Sequence, residues 1–221
     1  MLVLEVIACS VADAVAAERG GAGRLEIVRA PEVGGLTPPV SLVRKIVSAV
    51  AIPVRVIVRE NPGFEVADEA EIEKLCNAAR KFAALPVEGL VVGFLRGRSL
   101  HLSLTQQVLS CAPGMKATFH RAFEELDGPD AAVAALKATP QFDRILVSPP
   151  RVRGLSQLIA RAAPQLIIVA GGGIDRAEIA RLRQSTEIRE FHVGRAARKN
   201  GDIGKPVDAD RVRELVALLA G

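Results

Sequence analysis

The chain has 221 residues, of which 49% are hydrophobic and only 3% aromatic, with no tryptophan or tyrosine. This length and composition predict one domain, residues 1–221, built around an aliphatic core. The net charge is +4 and the basic residues are dispersed, which argues against a nucleic-acid partner. No apolar run reaches about 18 residues, which argues against a membrane span.

Eight short apolar runs, each typical of a buried strand, recur at fairly even spacing, and segments with helical periodicity lie between them. Ser10 and Asp175 are predicted N-caps of two of these helices. The predicted strands are Leu2–Ala8, Arg24–Val28, Val54–Arg59, Gly89–Phe94, Lys116–Arg121, Arg144–Ser148, Leu166–Ala170 and Glu190–Val193. The predicted helices are Val11–Arg19, Asp68–Ala84, Asp130–Ala138, Ser156–Ala163, Ala177–Gln184 and Ala209–Ala220.

The alternation of strands and helices predicts a parallel sheet that is covered by helices. Eight units in about 220 residues favour an α/β fold of the (β/α)8 TIM-barrel type, near the lower end of its size range. An open doubly wound sheet is the alternative, but the Gly-x-Gly-x-x-Gly motif typical after its first strand is missing. The Gly- and Pro-rich connections Ala30–Pro39 and Glu60–Ala67 follow predicted strands, so we expect them at the C-terminal face of the barrel.

Charged side chains interrupt several predicted strands. Because every second strand residue points into a barrel, we expect Glu5, Glu26, Arg59, His120 and His192 inside the barrel or at its mouth. A charge within an apolar run is costly unless it is paired. Since the C-terminal strand ends build the active site of this fold, we predict functional roles for Arg59, His120 and His192, with Glu5 and Glu26 as their partners.

Structural explanations remain open for several of these residues. Glu5 and Arg55 would form an ion pair in the barrel floor, and His120 would be held by a hydrogen bond to the backbone. Arg121 is adjacent to His120 and is therefore expected to point the other way, against a helix or another subunit. His101 is expected on the surface.

The loops after the seventh and eighth predicted strands suggest an anion site. Gly171-Gly172-Gly173 follows the seventh strand, and Gly194-Arg195 follows the eighth. Glycines allow backbone N–H groups to approach an anion, and an arginine adds a fork of donors. Tight strand-to-helix turns are the alternative explanation. Because these loops form the usual phosphate site of a TIM barrel, we predict that phosphate is bound by Gly172, Gly173, Gly194 and Arg195.

A series of longer motifs spans nearly the whole chain. The motifs are Glu5-Val6, Gly20-Gly21-Ala22-Gly23-Arg24-Leu25-Glu26, Gly34-Gly35-Leu36-Thr37-Pro38, Ile52-Pro53-Val54-Arg55-Val56-Ile57-Val58-Arg59, Thr118-Phe119-His120-Arg121-Ala122-Phe123, Asp143-Arg144-Ile145-Leu146-Val147-Ser148, Gly171-Gly172-Gly173 and Glu190-Phe191-His192. In this order they resemble the CutC family, which is named for copper homeostasis. The resemblance implies a TIM barrel, a cytoplasmic location and a homodimer or larger homo-oligomer.

Some positions depart from the family's pattern. Ile7 and Val28 stand where the family has cysteines, which are its natural candidates for binding Cu(I), an ion that prefers sulfur. Cys9 takes the place of a family aspartate, and the three cysteines form no CxxC pair. The family name therefore implies copper as a cofactor, whereas the residues of this chain predict no metal site.

Two functions of different classes are compatible with these features. In the first, the barrel binds an anionic or phosphorylated small molecule. The glycine loops would hold one anionic group and Arg59 a second, while His120 or His192 would act as general acid or base. Glu5 and Glu26 would orient the histidines or serve as the partner base.

In the second, the protein binds copper or confers copper tolerance without catalysis, with Cys9, His120 and His192 as ligands. A barrel retained only for protein contacts is a third possibility. The chain carries no cofactor fingerprint, and its residues leave open whether it is an enzyme.

Overall fold

The computed structural model describes residues 2–220 and contains a closed barrel of eight parallel strands with eight helices around it. The barrel strands are β1 (Val3–Ala8), β2 (Arg24–Ile27), β3 (Val54–Ile57), β4 (Gly89–Val92), β5 (Lys116–Phe119), β6 (Phe142–Val147), β7 (Ile167–Ala170) and β8 (Glu190–Val193). The helices are α1 (Val11–Arg19), α2 (Val40–Val47), α3 (Glu69–Ala83), α4 (Leu102–Ser110), α5 (Pro129–Lys137), α6 (Leu155–Ala162), α7 (Arg176–Ser185) and α8 (Ala209–Ala220).

Strand pairing confirms the predicted (β/α)8 barrel. Each barrel strand pairs in parallel with its neighbour in chain order, and β8 closes on β1 with Glu5 opposite His192. All strand C-terminal ends therefore meet at one face, where the loops of a TIM barrel carry its function. Among the helices of residues 2–220, none combines the length and hydropathy needed to cross a membrane.

Local sequence signals set the helix starts. The side chains of Ser10, Asp68 and Asp175 each accept a hydrogen bond from the backbone N–H three residues later, at 3.0, 2.8 and 2.9 Å. These bonds satisfy N–H groups that have no partner within the helix. The N-caps predicted at Ser10 and Asp175 are thus confirmed.

Two short helices, α2 and α4, are not among those predicted from periodicity. Helix α2 has eight residues and directly follows the Pro38-Pro39 pair at the end of a long loop. Helix α4 has nine residues and begins at an uncommon N-cap, His101, whose Nδ1 accepts from the Leu104 N–H at 3.3 Å. Length does not explain their omission, because the predicted helices α1, α5 and α6 also have only eight or nine residues.

The apolar core has two parts. Outward-facing strand residues such as Leu4 and Val56 are fully buried beneath the helices. Inside the barrel, a small inner apolar layer contains Val28, Ile57 and Val91, with Ile7 and Cys9 packed against it.

Candidate functional site

Ion pairs fill the N-terminal end of the barrel. Arg24 on β2 donates to Glu5 on β1 and, at 2.5 Å, to Glu190 on β8. Arg144 on β6 binds both oxygens of Glu190, at 2.7 and 3.1 Å, and also donates to Asp143. These side chains connect strands that are far apart in sequence, so each buried charge has an opposite partner.

Arg55 on β3 continues this chain of charges. It is fully buried and donates to both oxygens of Asp143, at 2.8 and 2.7 Å. It also donates to Glu88 and Thr118, each at 2.8 Å. Arg55 and Glu5 therefore have different partners, and the alternative of an ion pair between them is wrong. We call this set the floor network: Glu5, Arg24, Arg55, Glu88, Asp143, Arg144 and Glu190.

Above the floor network, His192 lies between two glutamates. Its Nδ1 is 2.7 Å from Oε1 of Glu5 and 3.3 Å from Oε2 of Glu26. Among the described residues these three form the one group of His, Cys, Asp or Glu side chains close enough to share an ion, with ligand atoms within 4.8 Å. Because Arg24 and His192 already bind Glu5, the group is arranged as a hydrogen-bonded ion pair with a second carboxylate beside it.

The three groups have different proton affinities. Burial alone would raise the pKa of Glu5, but Arg24 and His192 hold it well below its usual range. Burial raises the pKa of Glu26 to about 7, helped by the Glu5 carboxylate and opposed by His192. Burial disfavours charged His192, yet the two glutamates raise its pKa above the usual value. Glu26 is therefore a buried carboxylate that changes charge near neutral pH.

His120 is a buried neutral imidazole. Burial, reinforced by the charge of Arg59, lowers its pKa to about 3. Its Nδ1 accepts a hydrogen bond from the Ala122 N–H at 3.2 Å, so the single ring proton resides on Nε2. Within residues 2–220, this Nε2 is the one buried side-chain nitrogen or oxygen without a hydrogen-bond partner. The backbone contact expected for His120 exists, but it leaves one N–H free to serve a ligand.

Arg59 is a buried cation without a carboxylate partner. Its side chain is 7% exposed, and no ion pair joins it to any acidic group in the described chain. Instead it donates to the carbonyls of Gly34, Gly35, Pro62 and Gly63, and its guanidinium lies 4.8 Å from the centre of the Phe64 ring. Four acceptors face five N–H groups, so donor capacity and a full positive charge remain.

A cavity of about 520 Å³ lies at the C-terminal face, which we call the mouth of the barrel. This volume lies within the range of small-molecule sites. Ile7 and Val28, the positions where the CutC pattern has cysteines, form part of its wall, whereas Cys9 does not line it. The predicted site residues that line it are Glu26, Arg59, His120, Gly172, Gly173, His192, Gly194 and Arg195. Glu5 lies behind His192, outside the lining.

The two glycine loops present unused backbone donors. No hydrogen bond among residues 2–220 uses the N–H of Gly172, Gly173, Gly194 or Arg195. Gly172 has a φ of +74°, and a Cβ added there would lie 2.5 Å from Cβ of Ser148, so the loop needs glycine at this point. Arg195 is exposed and forms no ion pair with a described residue.

The expected orientation of Arg121 is wrong. Strand β5 ends at Phe119, and the chain turns at His120 into a 3-10 helix over Arg121–Glu125. Strand alternation no longer applies there, so Arg121 lines the same cavity as His120. It is held by both oxygens of Glu124, at 2.8 and 2.9 Å.

Arg198 supports the site from behind, although the sequence gives no signal that separates it from Arg195. It is 1% exposed and donates to the carbonyls of Gly194, at 2.7 Å, and Ile7, at 3.0 Å. It also lies 3.5 Å from the Asp13 carboxylate. Arg198 thereby fixes the β8 loop against β1, whereas Arg195 makes one long hydrogen bond, to the Gly201 carbonyl at 3.4 Å.

Comparison with known proteins identifies relatives across the chain. The model of the CutC family matches residues 2–197. A Xylella fastidiosa protein (strain Temecula1), named as a family protein CutC, is 32% identical over 237 residues, covering 98% of this chain and 88% of its own. A Mus musculus protein named copper homeostasis protein cutC homolog is 35% identical over 212 residues, covering 91% and 75%.

Solved structures agree in fold. A crystal structure of a CutC protein from Streptococcus agalactiae has a TM-score of 0.81 and 22% identity, covering 87% of this chain and 98% of its own. A phosphoribosyl anthranilate isomerase structure has a TM-score of 0.63 and 13% identity over all of both chains. At these identities the likeness shows the fold alone.

Proposed function

The chain belongs to the CutC family, and from this premise we propose that it binds a small anionic, phosphorylated molecule in the cavity at the C-terminal face of its barrel. The observation that carries the proposal is the pair of unsatisfied groups in one cavity, the Arg59 cation without a carboxylate and the His120 Nε2–H without an acceptor. Buried groups of this kind are costly unless a ligand meets them.

The glycine loops support the phosphate end of this ligand. The unused N–H groups of Gly172, Gly173 and Gly194 border the cavity, and the exposed Arg195 stands beside them. Backbone donors at the loops after the last two strands of a barrel suit a phosphate dianion. Arg59 would then hold a second anionic or polar group of the same molecule.

A binding experiment tests the proposal. Thermal-shift screening followed by calorimetry with inorganic phosphate and small phosphorylated metabolites should show stabilisation of the wild-type protein. Arg59→Met should weaken binding of the hits that carry a second anionic or polar group by about 10- to 100-fold, because a charged hydrogen bond contributes about 1.5–3 kcal/mol. Arg189→Met is the matched control, since Arg189 lies before β8 and outside the cavity lining. The absence of stabilisation by any anion would refute the proposal and favour a barrel that serves protein contacts.

Copper binding is the second candidate, because the mouse relative is named for copper homeostasis. Cys9, His120 and His192 do not form a close ligand group among the described residues. Burial raises the pKa of the Cys9 thiol to about 11, so the thiolate that Cu(I) prefers is scarce there. On the outside of the barrel, burial and a hydrogen bond that the Cys76 S–H donates to the Cys111 sulfur raise the pKa of Cys76 to about 11.

Anaerobic Cu(I) titration against a competing chelator separates the two candidates. We expect affinity no greater than that of ordinary protein thiols, unchanged in Cys9→Ser. Any Cu(I) binding that disappears in Cys76→Ser belongs to Cys76 and Cys111 on the outside of the barrel. Tight binding that is lost in Cys9→Ser would instead establish copper in the cavity.

A cytoplasmic location and a homodimer are further proposals that rest on the family resemblance. All three cysteines are free thiols, which supports a reducing compartment. Light scattering coupled to size exclusion tests the dimer, and a monomer at micromolar concentration would contradict it.

A further inference from the structure

We infer that the cavity is built to remove a proton from carbon next to a carbonyl group, with Glu26 as the base, His120 as the fixed donor to the carbonyl oxygen, and a phosphorylated aldehyde or ketone as the substrate class. This inference rests on the proposed anion site and deepens it. It assigns a reaction and separate roles to two residues that line the same cavity as the glycine loops.

The base must be a group that can gain and lose a proton at neutral pH. Glu26 lines the cavity, receives no hydrogen bond from the described residues and has one close polar neighbour, His192 Nδ1 at 3.3 Å. Glu5 is held by Arg24 and His192 and does not reach the cavity. His192 commits its Nδ1 to Glu5 at 2.7 Å. Glu26 is therefore the carboxylate that remains available to a substrate.

The donor must stay neutral and point its N–H at the developing charge. The Ala122 N–H occupies Nδ1 of His120, which fixes the tautomer and leaves Nε2–H unpartnered at the cavity. Phe64 packs against the ring at 5.2 Å between centroids, and a Cβ at Gly93 would lie 2.6 Å from Nδ1, so little space exists for the ring to move. A preorganised donor of this kind stabilises an enolate oxygen more than a ground-state carbonyl.

The proposed step balances without a further reactant. The Glu26 carboxylate takes the proton from carbon, the C–H electron pair forms the C=C bond, and the carbonyl π pair moves to oxygen. The enolate oxygen accepts the hydrogen bond from His120 Nε2. Glu26 then returns the proton to the same carbon or to the former carbonyl carbon. The second case is an isomerisation of an α-hydroxy carbonyl substrate: the hydroxyl on the first carbon loses its proton to the former carbonyl oxygen, and the first carbon becomes the new carbonyl.

The first test compares inorganic phosphate with 2-phosphoglycolate. The planar carboxylate of 2-phosphoglycolate mimics the enediolate part of a deprotonated phosphorylated substrate in shape and charge. A carboxylate beside Glu26 binds only when Glu26 carries a proton. We expect 2-phosphoglycolate to bind wild-type protein at least about tenfold more tightly than phosphate, because a transition-state mimic gains contacts that the anion alone lacks. Its affinity should fall by about tenfold per pH unit from pH 7.5 to 8.5, where the phosphate is already a dianion.

Variants identify the group whose titration causes this pH dependence. The groups that face Glu26 are His192 and Glu5 from β8 and β1, Arg24 from its own strand, and Arg55 and Arg59 from β3 and the loop after it. Glu26→Gln should abolish the pH dependence of 2-phosphoglycolate binding. His120→Phe should weaken 2-phosphoglycolate about tenfold, because it removes one donor to the mimic, whereas Arg189→Met should leave the affinities of both ligands unchanged.

The outcomes separate the two proposals. If neither ligand binds, the anion site itself fails. If phosphate binds but 2-phosphoglycolate is no tighter and does not respond to pH, the anion site stands and the proton-transfer role is refuted. Binding that requires added Mg²⁺ or Mn²⁺ and disappears with EDTA would also refute it, because Glu5, Glu26 and His192 would then hold a metal ion.

Turnover gives a second readout. In D₂O, wild-type protein should introduce deuterium at the carbon of dihydroxyacetone phosphate that lies next to the carbonyl group. Loss of the corresponding proton NMR signal measures this exchange. Glu26→Gln, expressed and purified in parallel, should exchange at least about 100-fold more slowly. Equal exchange in the two preparations would indicate a host enzyme and count against the inference, as would no exchange in either.

Discussion

The floor and the mouth of the barrel treat buried charge in opposite ways. In the floor network, Arg24, Arg55 and Arg144 each meet at least two acidic partners. At the mouth, Arg59 has only carbonyl oxygens, and His120 leaves a nitrogen unpartnered among the described residues. Burial alone therefore does not identify a site. Charges that satisfy one another hold the barrel together, and charges that lack a partner indicate a ligand.

Removing a floor charge should produce the largest effect. Arg55→Met deletes the partner of Asp143 and Glu88 and leaves their charges without the buried cation. We expect a loss of about 3–5 kcal/mol in the free energy of unfolding, the usual result of breaking a buried ion pair on one side. Urea denaturation measures it, with exposed Arg189→Met as the control, which should stay within about 0.5 kcal/mol. A loss below 1 kcal/mol for Arg55→Met would mean that the floor network is not structural.

The sequence predicts this division only in part. Strand order and inward parity follow from apolar runs, and parity correctly brings together Glu5, Glu26 and His192. Pairing inside the barrel joins residues up to 187 positions apart, and periodicity within one strand contains no information about such partners. Arg24 is missed as a partner for this reason, although its spacing of two from Glu26 already indicates the same inward face.

The mouth is harder to predict than the floor because its geometry depends on loops. The turn of the chain after Phe119 reverses the expected direction of Arg121 and, in the same step, gives His120 a backbone donor. Whether a strand-terminal charge finds a partner depends on where the following loop runs, as the Glu60–Ala67 connection shows when its carbonyls surround Arg59. Residue type and spacing identify candidate residues there, and only the folded loops show which of them remain unsatisfied.

Substitutions at the mouth can also lower the free energy of unfolding, and two glycine substitutions test this. Gly172→Ala combines a positive φ with a clash against Ser148, so we expect a loss of about 2 kcal/mol in unfolding free energy. Gly173→Ala has a φ of +88° but open space around the added methyl group, so strain alone should cost about 1 kcal/mol. Denaturation curves of the two variants measure the difference. Equal losses would show that the contact with Ser148 adds nothing.

The free energy of unfolding should depend on pH because Glu26, at the mouth of the barrel, titrates near neutral pH. The pKa of Glu26 is raised from 4.5 to about 7 in the folded state, so the folded protein binds one more proton than the unfolded chain between those values. Stability from this group is therefore present below pH 4.5 and is lost as pH rises to about 7, with a slope of at most about 1.4 kcal/mol per pH unit.

Comparison with Glu26→Gln measures this contribution together with the fall in the His192 pKa that follows loss of the Glu26 charge, whereas His120 titrates in both proteins. Between pH 6 and 7, wild type should lose about 1 kcal/mol of unfolding free energy relative to the variant. Urea denaturation at several pH values gives the difference directly. A constant difference across this range would mean that Glu26 stays ionised in the folded protein and that its pKa is not raised.

The smallest effect on stability should come from Arg59→Met, which removes the same charge as Arg55→Met from the other end of the same strand and loop. Burial without a carboxylate penalises the Arg59 cation and lowers its pKa, while its hydrogen bonds to four carbonyls offset that cost. Since both contributions disappear together, we expect a change below about 1 kcal/mol in unfolding free energy.

Ligand then distinguishes the two arginines. 2-Phosphoglycolate, which carries the second anionic group proposed to meet Arg59, should stabilise wild type by about 2.7 kcal/mol at 100 times its dissociation constant and should stabilise Arg59→Met far less. Arg55→Met should keep most of the response in spite of its lower stability, because Arg55 does not line the cavity. A loss of several kcal/mol in Arg59→Met without ligand would show that this arginine is structural after all, and the contrast between floor and mouth would fail at the residue on which it depends most.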